Sequence, residues 1–182
     1  MQEILAQLGL EDIPPVKVPK SLSQAIKEFM LSNKRFLVIF GPTGTFKTST
    51  VKKFLYAYAK NKHLKYGGVD VYDCMFVRFV DLPKVWNEDE IALYRTKLLA
   101  IDDLVFSGFH ENFWLKLFSL IDYRYTKPFK TIITTNHNLT YFLEGEVNFY
   151  YRIASRLCDE NLSMLVPSET SYRNPRQIPS SW

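Results

Sequence analysis

A glycine-rich turn in the first third of the chain has the residues needed to hold a phosphate group. The apolar run FLVIF at 36–40 leads directly into GPTGTFKT at 41–48, and a helical pattern follows. Backbone N–H groups of such a turn can surround an anion, and the start of a helix adds free N–H groups and a partial charge of about +0.5. The residues predicted to form this site are Gly41, Pro42, Thr43, Gly44, Thr45, Phe46, Lys47, Thr48 and Ser49.

Two residues of this turn are predicted to carry most of the binding chemistry. In the P-loop pattern GxxxxGK[ST], the lysine reaches the β- and γ-phosphates of a nucleotide and the following hydroxyl binds Mg²⁺. Lys47 and Thr48 occupy those positions, so ATP and Mg²⁺ are the expected ligands. The alternative is an ordinary strand–turn–helix with a chance Lys-Thr pair, which the composition and position of the turn disfavour.

One residue departs from the pattern, because Phe46 stands where the last glycine is expected. Glycine tolerates backbone torsions that other residues avoid at a cost of about 1–2 kcal/mol, and it lets the backbone approach a phosphate closely. Phe46 can be accommodated if its torsions are helical and its ring turns away from the nucleotide. We therefore expect nucleotide binding to be retained and leave the rate of hydrolysis open.

Two further predicted strands end in polar side chains that suit the same site. LLAIDD at 98–103 ends in two carboxylates, and TIITTN at 131–136 ends in an amide. If the first of these strands neighbours the P-loop strand, Asp102 can hold Mg²⁺ and Asp103 can orient or deprotonate the attacking water. Asn136 can hydrogen-bond both the γ-phosphate and that water. A strand end that simply emerges into solvent is the alternative for the carboxylates, and the P-loop upstream favours the functional interpretation.

The elements that must position these residues alternate between strand and helix. This order predicts an α/β three-layer sandwich with a mainly parallel five-stranded sheet. A capping box of Ser21 and Gln24 predicts the start of the first core helix, and DLPKVW is predicted to be a short connection. The predicted strands are 36–40, 74–80, 97–102, 131–136 and 162–166, and later helices are predicted at 111–125 and about 148–157.

Length and composition indicate one domain. The 182 residues are 47% apolar, enough for a buried core, and two cysteines cannot build a disulfide framework. Prolines interrupt residues 1–20, which are predicted to be a lead-in. The core is predicted at 21–167, and a polar tail is predicted at 168–182.

No apolar run reaches about 18 residues and no signal-peptide pattern is present, so a cytoplasmic protein without a membrane partner is expected. A net charge of +4 permits contact with nucleic acid without arguing for it.

With these elements placed, the sequence resembles the AAA+ ATPases of the ASCE class of P-loop NTPases. Within them it is similar to the DnaC/DnaI-type helicase loaders and the IstB-type transposition helper ATPases. The resemblance implies that Lys47 and Thr48 form Walker A, Asp102 and Asp103 form Walker B, and Asn136 is sensor 1. The matching stretches are FLVIFGPTGTFKTST, VRFVDLPKVW, KLLAIDDLVF, LFSLIDYRYTKPFKTIITTNHNL, YYRIASRLC and ETSYR, within residues 22–173.

The resemblance also implies roles for three arginines. Arg156 falls in the segment where this family carries its arginine finger, with Arg152 as the alternative, and Arg173 matches a sensor 2 arginine. A guanidinium inserted into a phosphoryl-transfer site accelerates the reaction by about 10³–10⁵-fold. A pair of surface arginines that pack against acidic residues is the competing interpretation for Arg152 and Arg156.

The leading functional hypothesis is an ATPase that loads or remodels a helicase or another DNA-bound partner in replication or mobile-element transactions. Expected partners are the chain itself or another AAA+ protein, a replicative helicase or transposase, and single- or double-stranded DNA. Only 20 residues precede the first core helix and little room is left for a helical lid, which fits a near-minimal, virus- or mobile-element-encoded version. The rival hypotheses are a nucleotide-dependent interaction module with little turnover and a small P-loop kinase.

Overall fold

Five strands and six helices make up the regular structure of the residues described by the computed structural model, which are 2–11, 13, 15–144 and 148–168. The strands are β1 (Phe36–Phe40), β2 (Cys74–Arg78), β3 (Leu98–Leu104), β4 (Lys130–Thr135) and β5 (Ser163–Pro167). The helices are α1 (Gln2–Gln7), α2 (Lys20–Leu31), α3 (Lys47–Tyr66), α4 (Leu82–Arg95), α5 (Glu111–Thr126) and α6 (Phe149–Leu157). Short 3-10 helices lie at Phe79–Asp81 and Leu139–Leu143.

The strands form one sheet in the order β2-β3-β4-β1-β5, and every pairing is parallel. The α/β fold class predicted from the sequence is therefore confirmed. Strand β4 lies between β1 and β3, so the condition that β3 neighbours the strand before the glycine-rich turn is not met. Since parallel strands end at the same edge of the sheet, the polar ends of β1, β3 and β4 still face one region.

Helices cover both faces of the sheet, and each face has its own apolar core. Along β1, Phe36 and Val38 belong to one buried cluster, whereas Leu37 and Ile39 belong to the other. This alternation follows from the period of two in a strand, and burial on both faces explains why FLVIF is uninterrupted by polar residues. The three-layer arrangement fixes the positions of the strand ends relative to one another.

The lead-in before α2 packs on the sheet. Leu8 and Leu10 are fully buried in the same core cluster as α2 and α3. The carbonyl of Leu8 accepts a hydrogen bond from the Phe76 backbone N–H at 2.9 Å, which satisfies a donor on the edge strand β2. The lead-in therefore protects an edge that would otherwise be open to pairing.

Two local expectations are wrong. Helix α2 begins at Lys20 with Pro19 as its N-cap, so Ser21 lies inside the helix and forms no capping box with Gln24. The segment DLPKVW does not form a short connection, because helix α4 begins at Leu82 and continues to Arg95. Proline is tolerated in the first turn of a helix, where its missing N–H has no intrahelical acceptor.

A fully buried arginine ties α4 and α5 to the start of β4. Arg124 on α5 has no exposed surface, and its acceptors are carbonyl and hydroxyl oxygens instead of a carboxylate. Burial lowers the pKa of the guanidinium accordingly. The acceptors are Thr131 Oγ1 at 2.8 Å and the carbonyls of Leu93 at 3.1 Å, Tyr94 at 3.3 Å, Thr96 at 2.9 Å and Lys130 at 2.8 Å.

Replacing Arg124 with methionine should destabilise the fold by about 3 kcal/mol or more, because each buried carbonyl left without a donor costs about 1–3 kcal/mol. Urea denaturation of the parental chain and the Arg124→Met variant measures this difference. The control is Arg95→Met, which removes an exposed arginine from α4 and should change the free energy of unfolding little. Equal stability of the Arg124→Met variant and the parental chain would show that Arg124 does not anchor these elements.

Candidate functional site

A cavity of about 320 Å³ lies at the carboxyl edge of the sheet, where the turn after β1 meets the ends of β3 and β4. It brings together the residues predicted from three separate stretches of the sequence. The lining residues are Thr43, Gly44, Thr45, Phe46, Lys47, Thr48, Ser49, Asp102, Asp103, Thr134 and Asn136. Gly41 and Pro42 form the turn behind Lys47.

The turn after β1 requires glycine at its first position. Gly41 has φ of 141°, and a Cβ added there would lie 2.3 Å from the carbonyl oxygen of Ser168. Its N–H donates to the carbonyl of Thr135 on β4 at 3.3 Å, while the Ser168 N–H donates to the Phe40 carbonyl at 2.7 Å. The sheet on one side and the segment after β5 on the other thus fix where the turn begins.

The ammonium group of Lys47 lies inside the turn. Its Nζ donates to the carbonyls of Gly41 at 2.7 Å and Pro42 at 2.9 Å, and to Asn136 Oδ1 at 3.0 Å. Burial lowers the pKa of Lys47, and the nearby carboxylates of Asp103 and Asp102 partly offset that effect. These contacts place Lys47 Nζ at the centre of the predicted phosphate site.

The oxygens predicted to bind a metal lie side by side. Thr48 Oγ1 donates to Asp102 Oδ1 at 2.8 Å, and Asp102 Oδ1 also accepts from Thr134 Oγ1 at 2.6 Å. Burial raises the pKa of Asp102, and the two hydroxyl donors counteract that rise. Adjacent oxygen ligands of an octahedral Mg²⁺ with bonds of about 2.1 Å lie about 3 Å apart, so the pair of oxygens fits this metal.

A chain of hydrogen bonds joins Asp103 to Lys47 through Asn136. Asn136 Nδ2 donates to Asp103 Oδ1 at 3.2 Å, while its Oδ1 accepts from Lys47. Asp103 has φ of 59° and its N–H donates to Thr134 Oγ1 at 2.9 Å, which turns its exposed side chain away from that of buried Asp102. The two carboxylates therefore face different environments, one towards Thr48 and the other towards Asn136.

Thr134 is the site residue that the sequence analysis missed. Its hydroxyl accepts from the Asp103 backbone and donates to the Asp102 side chain, so it fixes both carboxylates. The only signal was its position two residues before Asn136 in a predicted strand, which places both side chains on the same face of that strand. A threonine in a strand is too common to be chosen on that ground alone.

Phe46 does not have the helical torsions on which its accommodation was expected to depend. It has φ of 61° and ψ of 21°, the left-handed region, immediately before α3 begins. An L-residue there carries a cost of about 1–2 kcal/mol, since Cβ approaches the following carbonyl. The Phe46 carbonyl accepts from both the N–H and the Oγ1 of Thr50, at 2.9 and 2.7 Å, so the first turn of the helix holds the strained residue.

Two of the three predicted arginines, Arg152 and Arg156, do not line this cavity. Arg156 Nε pairs with Asp122 Oδ1 at 2.9 Å, and its guanidinium lies 4.9 Å from the centroid of the Tyr125 ring. Arg152 is exposed, with its guanidinium 5.7 Å from the centroid of the Phe118 ring. Arg173 lies outside the described residues. The roles of all three arginines stay predictions.

Two further features are absent from the described part of the chain. No group of three or more His, Cys, Asp or Glu side chains there could hold a metal ion. Among the described helices, none has both the length and the apolar character needed to cross a membrane.

Known structures share this architecture at low sequence identity. The structure of DnaI aligns with a TM-score of 0.63 at 17% identity, over 96% of this chain and 94% of that one. The DnaC helicase loader aligns with a TM-score of 0.57 at 18% identity, over 86% of this chain and 95% of that one. AMPPCP-bound DnaA from Aquifex aeolicus aligns with a TM-score of 0.60 at 18% identity, over 85% of this chain and 50% of that one.

The chain shares the α/β fold of these structures, with one five-stranded parallel sheet. Neither a protein-family model nor a curated protein matches the sequence, so the likeness shows the fold and not a particular activity. The residues predicted to form Walker A, Walker B and sensor 1 line one cavity, and those three roles stay predictions.

Proposed function

We propose that the chain binds ATP with Mg²⁺ and hydrolyses it, and that it uses this cycle to load or remodel a helicase or another DNA-bound partner. The observation that carries the proposal is the set of contacts that joins Lys47, Asn136 and Asp103 beside the Thr48–Asp102 pair. A cation, two carboxylates and an amide at the mouth of a glycine-rich turn are the groups that phosphoryl transfer from a nucleotide uses.

Each residue has a defined task in this proposal. Lys47 exchanges the carbonyls of Gly41 and Pro42 for phosphate oxygens, which makes the ammonium a donor to the nucleotide. Thr48 and Asp102 would hold Mg²⁺, which when bound neutralises charge on the phosphates. Asp103 accepts the proton of the attacking water, and Asn136 orients that water through the amide that already touches Asp103.

The proposed place in DNA replication or mobile-element transactions rests on the structural neighbours and on the sequence motifs. Two of the structures aligned above are named as DnaI and as the DnaC helicase loader, and both align over most of their own length. DnaA from Aquifex aeolicus binds AMPPCP, an ATP analogue, on the same fold. The proposed partners are further copies of the chain or another AAA+ protein, a replicative helicase or transposase, and DNA.

Replacing Lys47 with alanine should weaken ATP binding about 100-fold or more. Two hydrogen bonds from a charged donor contribute about 1.5–3 kcal/mol each, and 1.4 kcal/mol is a factor of ten. The rise in melting temperature on adding Mg-ATP measures the effect, because a ligand that binds only the native state stabilises it more as the ratio of its concentration to its Kd increases. Lys60→Ala on the exposed side of α3 is the control and should keep the full rise. An equal rise in the Lys47→Ala variant would refute the proposed binding site.

The second candidate function is a nucleotide-dependent interaction module that does not turn over. The observation that supports it is the left-handed backbone conformation of Phe46, because a strained phosphate-binding turn can bind phosphates in a geometry that is unproductive for hydrolysis. Steady-state phosphate release with and without single-stranded DNA separates the two candidates. ATP binding without phosphate release under either condition would favour the module over the ATPase.

A further inference from the structure

Phe46 lines two cavities at once. On one side it belongs to the phosphate cavity described above. On the other side it borders a larger groove of about 660 Å³, whose remaining lining is the lead-in segment Val16, Lys17, Val18, Pro19 and Lys20. A ligand that extends from the phosphate cavity into the groove must pass Phe46.

The groove wall is attached to the helix that follows Phe46. Lys53 Nζ on α3 donates to the carbonyl of Val16, so the lead-in is tied to the same helix whose first residue is Lys47. Three of the groove residues are apolar, namely Val16, Val18 and Pro19, and two are lysines. This composition suits a flat apolar group that carries negative charge at one end.

We propose that Phe46 is a specificity-determining residue whose ring contacts the base of the nucleoside triphosphate, which lies in the groove formed by residues 16–20. This inference rests on the proposed function, since the phosphates must first occupy the cavity around Lys47. An inorganic polyphosphate can fill the phosphate cavity but has no group to place in the groove.

The strain at Phe46 supports this role. Glycine would adopt φ of 61° without cost, so an aromatic residue at this position loses stability for the fold. Backbone strain of this kind clusters at active sites, ligand sites and switch regions, where the surrounding structure holds the strained residue in place. Stacking of a base on an aromatic side chain is worth about 1–3 kcal/mol, which corresponds to a 5- to 150-fold change in affinity.

The test compares Mg-ATP with Mg-tripolyphosphate on the parental chain, Phe46→Gly and Phe46→Tyr. We expect the parental chain to prefer Mg-ATP, and the ratio of the two affinities to fall about 5- to 150-fold in Phe46→Gly. Tripolyphosphate should bind Phe46→Gly about as well as the parental chain, because it has no group that contacts the Phe46 ring. Phe46→Tyr keeps the ring and should keep the parental ratio.

The outcomes separate this inference from the function on which it rests. An affinity ratio that is unchanged in Phe46→Gly, with ATP still bound, would overturn the role of Phe46 and leave the nucleotide site standing. A parental chain that binds neither compound would overturn both. A ratio that falls equally in Phe46→Gly and Phe46→Tyr would show that the ring is not the contacting group and would also overturn the inference.

Discussion

Replacing Arg156 with alanine should lower ATP hydrolysis by the assembled protein about 10³-fold or more, while ATP binding by the single chain is unchanged. The reason is that a guanidinium offered to the transferring phosphoryl group accelerates the reaction by about 10³–10⁵-fold. Arg156 does not line the cavity of its own chain and is engaged with Asp122 and Tyr125, so we propose that it acts on the site of a neighbouring subunit. Phosphate release at concentrations that favour assembly measures the loss.

Three further variants make this prediction specific. Asp122→Ala breaks the same ion pair but keeps the arginine, so it should hydrolyse ATP far faster than Arg156→Ala. Arg152→Ala tests the alternative arginine on the same helix. An equal mixture of Arg156→Ala and Lys47→Ala chains should regain activity, since one chain supplies the nucleotide site and the other the arginine. Parental rates in the Arg156→Ala variant would refute the assignment.

Replacing Asp103 with asparagine should lower the hydrolysis rate about 10²–10⁴-fold with ATP affinity retained, because a general base contributes that factor. The substitution is conservative at this position. Asparagine tolerates the left-handed torsion of φ 59°, and its Oδ1 can still accept from Asn136 Nδ2. What the variant loses is the negative charge and the ability to take a proton from water. Phosphate release and Mg-ATP affinity, measured on the same preparation, give the two quantities.

The control for Asp103→Asn is Glu88→Gln, which neutralises an exposed carboxylate on α4 that pairs with Lys84 at 3.8 Å. It should hydrolyse ATP at the parental rate. If Asp103→Asn also hydrolyses at the parental rate, Asp103 is not the base. If it loses ATP binding, the role of Asp103 is in binding instead of in the chemical step.

Much of the fold could be predicted because its signals are local. FLVIF and LLAIDD are apolar runs typical of strands buried on both faces, and each ends at the residues that form the site. The alternation of strand and helix fixed the fold class, since parallel strands need crossover connections. The grouping of Lys47, Asp102 and Asn136 followed, because all parallel strands end at one edge of the sheet.

The features of the structure that could not be predicted depend on contacts between segments that are distant in the sequence, and a local sequence pattern does not indicate such contacts. The order of the strands was one such feature, since β4 separates β1 from β3 and Asp102 nevertheless reaches Thr48. The burial of Arg124 was another, because its five acceptors come from α4, β4 and the residue that follows α4. The backbone torsions of Phe46 are set by the turn and the helix together. From the sequence we could say only that Phe46 is accommodated if these torsions are helical.

Titration calorimetry of Mg-ATP into the purified chain, at two temperatures, tests the central claim most directly. We predict saturable heat with one site per chain, absent in Lys47→Ala, because the triphosphate must displace the loop carbonyls from the Lys47 ammonium. No saturable heat at either temperature would contradict the nucleotide site and, with it, every role proposed for the residues around it.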